Sequence, residues 1–144
     1  LRSKNHNDAL RAMLLSDDDP IARANAARVL GAAEDKNSLT LLTDAALEDE
    51  DARVRVSAIR ALAGLKDKTA AEKLLRRGET LLSEYKKSRF ASPAEKNELL
   101  EIAATLGRLL ANSNDERATA FLTRFHERDL YRSPETEIAL ARIA

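Results

Sequence analysis

Cysteine and tryptophan are both absent from the 144 residues. Without cysteine there is no disulfide, no thiolate metal site and no sulfur nucleophile, and nothing in the sequence reports the redox state of its compartment. Four glycines and three prolines leave few places to build hairpin turns. Only three valines and five isoleucines stand against 26 alanines and 23 leucines. Strands favour β-branched and aromatic residues, whereas Ala and Leu lose little freedom in a helix, so the composition predicts an all-α chain. No run of eighteen apolar residues occurs, and no charged-then-apolar signal opens the chain, so no membrane insertion is expected. Net charge is also lacking, with 24 Lys plus Arg balanced by 24 Asp plus Glu. A nucleic-acid binder usually carries a net basic face, so that class is disfavoured. The chain begins at Leu1 rather than Met and stops within an apolar pattern, as expected of a fragment from a longer protein.

What is present is a repeat. Shifting residues 10–35 by 32 lays them on 42–67 without a gap. The identical pairs are Leu10/Leu42, Leu15/Leu47, Asp17/Asp49, Asp19/Asp51, Arg23/Arg55, Ala26/Ala58, Arg28/Arg60, Leu30/Leu62 and Asp35/Asp67. Each copy reads as two helices. The first carries Leu10, Met13 and Leu14, or Leu39, Leu42 and Ala46, at helical spacing. An acidic break follows, Asp17-Asp18-Asp19-Pro20 or Asp49-Glu50-Asp51. Acids suit the positive end of the next helix, and Pro20 fits its first turn. The second helix has an apolar stripe at Val54, Ala58, Ala61, Leu62 and Leu65, and Gly31 or Gly64 is expected to mark its end.

Residues 19–31 (DPIARANAARVLG) and 51–63 (DARVRVSAIRALA) resemble the second helix of HEAT repeats. They are most similar to the bacterial HEAT-like repeats also found in phycobilin lyases. That family's pattern is an acid, then valine-arginine, then a small-residue core ending in Ala-Leu-Gly, and the resemblance covers residues 10–67. It implies a right-handed α-α superhelix, a HEAT-like solenoid of about four helix pairs. One helix layer would lie outside and the other would line a concave face. It also implies that Asp19, Arg23, Asp51 and Arg55 form a structural ladder of hydrogen bonds between neighbouring repeats at the inter-helix turns.

Beyond residue 67 the helices continue but the period lengthens. Thr69 to about Arg89 reads as one long helix, and Pro93 opens the next, with its stripe at Leu99, Ile102, Ala103, Leu106, Leu109 and Leu110. Leu106-Gly107 repeats Leu30-Gly31, but 76 residues on, so roughly a dozen residues are inserted. A last pair runs from Asp115 to about Arg128 and from Pro134 to the end. The expected domain is thus a single unit over 1–144, with repeats at about 7–35, 38–67, 69–111 and 115–144.

The function expected of such a chain is that of a protein-interaction or scaffold module of a larger bacterial protein, an inference by analogy of fold. Arg28 and Arg60 recur at one register opposite the apolar stripe, with Arg53 nearby, and would suit an acidic partner. Between Lys73 and Arg89 six basic residues face two acids, and Tyr85, Lys86, Lys87, Arg89 and Phe90 gather at the segment's end. Aromatics among cations are a frequent composition of interface hot spots. A covering role for Tyr85 and Phe90 over the long helix competes with that reading. The family resemblance leaves two alternatives open, a nucleic-acid-binding HEAT-like domain and an accessory of the bilin-lyase kind. HEAT-like deoxyhypusine hydroxylases bind di-iron through several His-Glu pairs, but His126-Glu127 is the lone such pair here, so no metal is expected. No Gly-rich phosphate loop, Gly-x-Ser-x-Gly elbow or nucleophile–base set occurs, so neither a cofactor nor an enzyme activity is expected of these residues.

Overall fold

The computed structural model describes residues 2–88 and 93–144, with side chains from 6 to 85 and from 93 onward. Eight α-helices occur among the described residues: α1 (Arg2–Ser16), α2 (Pro20–Ala32), α3 (Leu39–Glu48), α4 (Ala52–Leu65), α5 (Ala71–Ser88), α6 (Pro93–Leu109), α7 (Glu116–Arg128) and α8 (Pro134–Ile143). Short 3-10 turns precede α3 (Lys36–Ser38) and α5 (Lys68–Ala70). The described chain is therefore an all-α helical repeat. It divides into two compact units, Leu1–Asp67 and Lys68–Ala144.

Helix starts follow from local chemistry. Asp19 caps α2 by accepting the Ile21 N–H at 2.9 Å, and Pro20 takes the first helical position, where no N–H is needed. Asp51 caps α4 through the Arg53 N–H at 2.8 Å, and Asp115 caps α7 through the Ala118 N–H at 2.8 Å. Pro93 and Pro134 open α6 and α8 in the same way.

In the first unit α1 packs on α2, α3 on α4, and the two second helices pack against each other. The stripe Val54, Ala58, Ala61, Leu62 and Leu65 is buried, facing Ala26, Ala27 and Leu30. The second unit repeats this plan, with α5 on α6, α7 on α8, and α6 against α8. Its core holds Leu74, Leu99, Ile102, Leu106, Phe121 and Phe125, each fully enclosed.

The glycines stand at the helix ends, as expected, but for a reason of packing. Gly31 and Gly64 lie in the last turns of their helices, but neither takes the left-handed conformation that ends a helix; Glu34 (φ 52°) and Lys66 (φ 57°) do. What the glycines supply is proximity. A Cβ on Gly31 would lie 2.6 Å from the Ala61 Cα, and one on Gly64 would lie 2.6 Å from the Gly31 carbonyl oxygen. In the second unit a Cβ on Gly107 would lie 2.8 Å from the Ala139 Cα. The recurring Leu-Gly pair thus marks the same event in both units, a backbone-to-backbone approach of the two second helices. At Gly78 the space is filled by a ring, for a Cβ there would lie 2.7 Å from the Phe121 Cζ.

Replacing Gly31 with Ala should lower stability by about 1–3 kcal/mol, the cost of overpacking, despite the roughly 1 kcal/mol that Ala gains in helix propensity. Thermal melts of the variant and the parent chain check this; an unchanged or raised midpoint would contradict the close approach.

Candidate functional site

Two nearly identical turns organise the first unit. In the first, Asp17 Oδ1 accepts the Asp19 N–H at 2.8 Å, and the Asp17 carbonyl accepts Arg23 Nη1 at 2.8 Å. In the second, Asp49 Oδ1 accepts the Asp51 N–H at 2.9 Å, and the Asp49 carbonyl accepts Arg55 Nη1 at 2.7 Å. The two turns are tied together: Arg23 Nε and Nη2 each donate to the Asp49 carboxylate at 3.1 Å, a bidentate pair with about a tenth of each side chain exposed. The Asp49 hydrogen bond, followed by its charge and those of Glu50 and Asp51, raises the Arg23 pKa against the cost of desolvation. The partner that closes the inter-repeat contact is therefore Asp49, with Asp19 and Asp51 serving as helix caps. Asp49 was visible among the identical pairs, but its role depends on a contact 26 residues away.

A second buried carboxylate anchors the end of α2. Asp35 accepts the Ser38 hydroxyl at 2.6 Å and is paired with Arg11 of α1. Its N–H closes back on the Leu30 carbonyl at 3.2 Å, so the turn is satisfied on both sides.

The proposed cationic face lies on α2 and α4. Gly31 meets Ala61 and Gly64, residues 30 and 33 further on, so the helices run side by side in the 32-residue register of the repeat. Arg28 and Arg60 hold equivalent positions in the two copies, and both are exposed. Arg53 is exposed too, but its guanidinium folds onto its own cap, with Nε and Nη2 donating to Asp51 at 3.1 and 2.8 Å. The Arg53 side chain and then its backbone N–H hold the Asp51 carboxyl at about 2, below its ordinary 3.8, although desolvation opposes them.

Two arginines of the basic run of α5 are paired with acids outside the segment from Lys73 to Arg89. Arg77 Nε donates to Glu98 of α6 at 2.9 Å, where the carboxylate is buried. Arg76 pairs with Glu72 one turn back at 3.0 Å. Glu72 and Glu79 in turn accept Arg117 of α7, each at 2.7 Å. Tyr85 is half-buried, and its hydroxyl donates to the Arg128 carbonyl at 3.0 Å. Arg89 and Phe90 lie outside the described residues, as do the side chains of Lys86 and Lys87.

The turn between α7 and α8 is built on Asp129, a residue that sequence reasoning passed over. Its carboxylate accepts the N–H groups of Tyr131 (3.0 Å) and Ser133 (2.8 Å) and Lys96 Nζ (2.8 Å). Burial alone would raise its pKa; the hydrogen bonds from Lys96, Ser133 and Tyr131 outweigh this and bring it to about 2. Lys96 also sits 4.4 Å from the centre of the Tyr131 ring. The turn thereby presents Leu130 and Tyr131 almost entirely to solvent, at 89% and 85% exposure.

His126 Nδ1 lies 3.1 Å from the Thr136 hydroxyl, which itself donates to the Ser133 carbonyl. That geometry uses the ring to join α7 to α8. No group of three or more metal-ligating side chains occurs among the described residues. No described helix is long and apolar enough to cross a membrane.

Helix pairs, second-helix packing and acid–arginine turns together define a repeat protein. The profile of the family described as HEAT repeats matches residues 7–84, more than half of the chain, and the chain belongs to that family. HEAT repeats commonly mediate protein–protein interaction or scaffolding and are typically non-catalytic. Among curated proteins no relative matches the chain.

Two stability predictions come from these charges. Asp49→Ala should destabilise the chain by more than Asp19→Ala, which loses a single cap at about 1 kcal/mol; denaturant titrations of both variants rank them. Asp129 has a depressed folded pKa, so its contribution is complete above the ordinary carboxylate value and disappears as pH falls toward 2. The melting-point gap between the parent and Asp129→Asn should be widest near pH 6 and close between about pH 4 and 2.

Proposed function

We propose that this chain is a protein-interaction module that engages an acidic segment of its partner through the α2–α4 face, with Arg28 and Arg60 as the gripping residues. The supporting observation is that two exposed arginines 32 residues apart fall at one register on helices packed side by side. Guanidinium groups bind carboxylates through paired N–H donors, and the scaffold that carries these two is rigid at that point because the glycine contacts leave no slack. Arg53, exposed at the start of α4 with its guanidinium donating to Asp51, is an additional candidate. The segment at 85–93 is a second contact region in this reading, with Tyr85 securing its start against α7.

The test is affinity capture from cells, with quantitative mass spectrometry, comparing the parent chain with Arg28→Glu/Arg60→Glu. Retained helicity and melting point would establish that the fold is intact. Losing two charge-assisted contacts should weaken a specific partner by about tenfold or more. Unchanged recovery of every specific partner would overturn the assignment of this face.

A further inference from the structure

Helices α5 and α7 lie along each other in a register of their own. Glu72 meets Arg117, 45 residues on, at 2.7 Å. The same spacing sets Glu79 opposite Arg124, at 3.9 Å, and Ser83 opposite Arg128. The acid row therefore ends one turn before the arginine row does. Glu79 is already engaged, because Arg117 donates to it through Nη2 at 2.7 Å and Nε at 3.4 Å. Arg124 stays outside hydrogen-bonding distance of Glu79 and is half exposed. The Arg128 guanidinium makes no hydrogen bond or ion pair among the described residues.

At this place an open cleft of about 220 Å³ lies between the two helices, lined by Glu79, Leu82, Ser83, Arg124 and Arg128. The Tyr85 hydroxyl bond to the Arg128 carbonyl ties the last turn of α7 to α5 beside this cleft. We propose that this cleft is a carboxylate-binding site that takes a glutamate side chain of an acidic peptide segment. Arg124 and Arg128 supply the charge and the N–H donors, and the Ser83 hydroxyl donates a further hydrogen bond. Leu82 offers an apolar wall for the methylene groups of the ligand. The Glu79 carboxylate at the rim selects a single negative charge over a phosphoryl dianion, since like charges at this range repel. This site belongs to the second unit and does not depend on the Arg28–Arg60 reading.

The experiment is an NMR titration of the full ¹⁵N-labelled chain with three probes: an acetylated, amidated peptide centred on Glu-Leu-Glu, its Gln-Leu-Gln counterpart, and inorganic phosphate. The glutamate peptide should shift the Ser83 amide and the Arg124 and Arg128 side-chain N–H signals saturably, and less so as salt rises. The glutamine peptide and phosphate should each bind about tenfold more weakly or worse. Arg128→Gln and, separately, Arg124→Gln should each reduce affinity by about tenfold with the rest of the spectrum unchanged, whereas Arg28→Gln/Arg60→Gln should leave these shifts in place. Equal affinity for the glutamine peptide, tighter binding of phosphate, shifts confined to other residues, or indifference to both single variants would overturn the proposal.

Discussion

The Arg23 guanidinium holds three groups at once: the carbonyls of Asp17 and Asp18, and both oxygens of Asp49. One planar cation thereby closes the turn of its own repeat and clamps the turn of the next. Its five donors in a rigid fork suit this geometry, and a lysine, with a single point charge on a flexible stem, could not replace it. With the turns clamped, the second helices enter side by side. Only then can Gly31 reach Ala61 closely enough for the alanine-rich stripes to exclude water. Small residues bury little area each, so a core built from Ala26, Ala27, Ala46 and Ala58 depends on such close approach.

The second unit solves the same packing problem with different charges. Its second helices still touch at a glycine facing an alanine, Gly107 on Ala139. The arginine clamp is gone, and its place is taken by buried carboxylates bound from neighbouring helices, Glu98 by Arg77 and Asp129 by Lys96. Helix α5, at 18 residues, is longer than either first helix of the first unit, and a row of exposed ion pairs runs between α5 and α7. Exposed pairs of this kind add little stability. They do fix which side chains stand opposite each other.

Much of this was legible in the sequence because helix ends are local events. Proline at 20, 93 and 134 and aspartate at 19, 51 and 115 each announce a first turn, and each does open one. The 32-residue repeat also gave Arg28 and Arg60 one register. The glycines did fall at the helix ends, but their close contact with the neighbouring helix was not legible, since only that helix reveals it. The pairing of Arg77 was not legible either, because Glu98 lies 21 residues away from it. Asp129 carried no signal at all, because one aspartate among loop residues looks like any other until the three hydrogen bonds to its carboxylate are seen.

The two tyrosines are placed in contrasting surroundings. Tyr85 is half-buried with its hydroxyl bonded to a main-chain oxygen, while Tyr131 stands in solvent beneath an ammonium group. Because the chain lacks tryptophan, these two phenols dominate its near-ultraviolet emission. A quencher dissolved in the buffer reaches one of them far more readily than the other. The protein thus carries an intrinsic, label-free optical probe that can distinguish loosening of the α7–α8 turn from separation of α5 and α7.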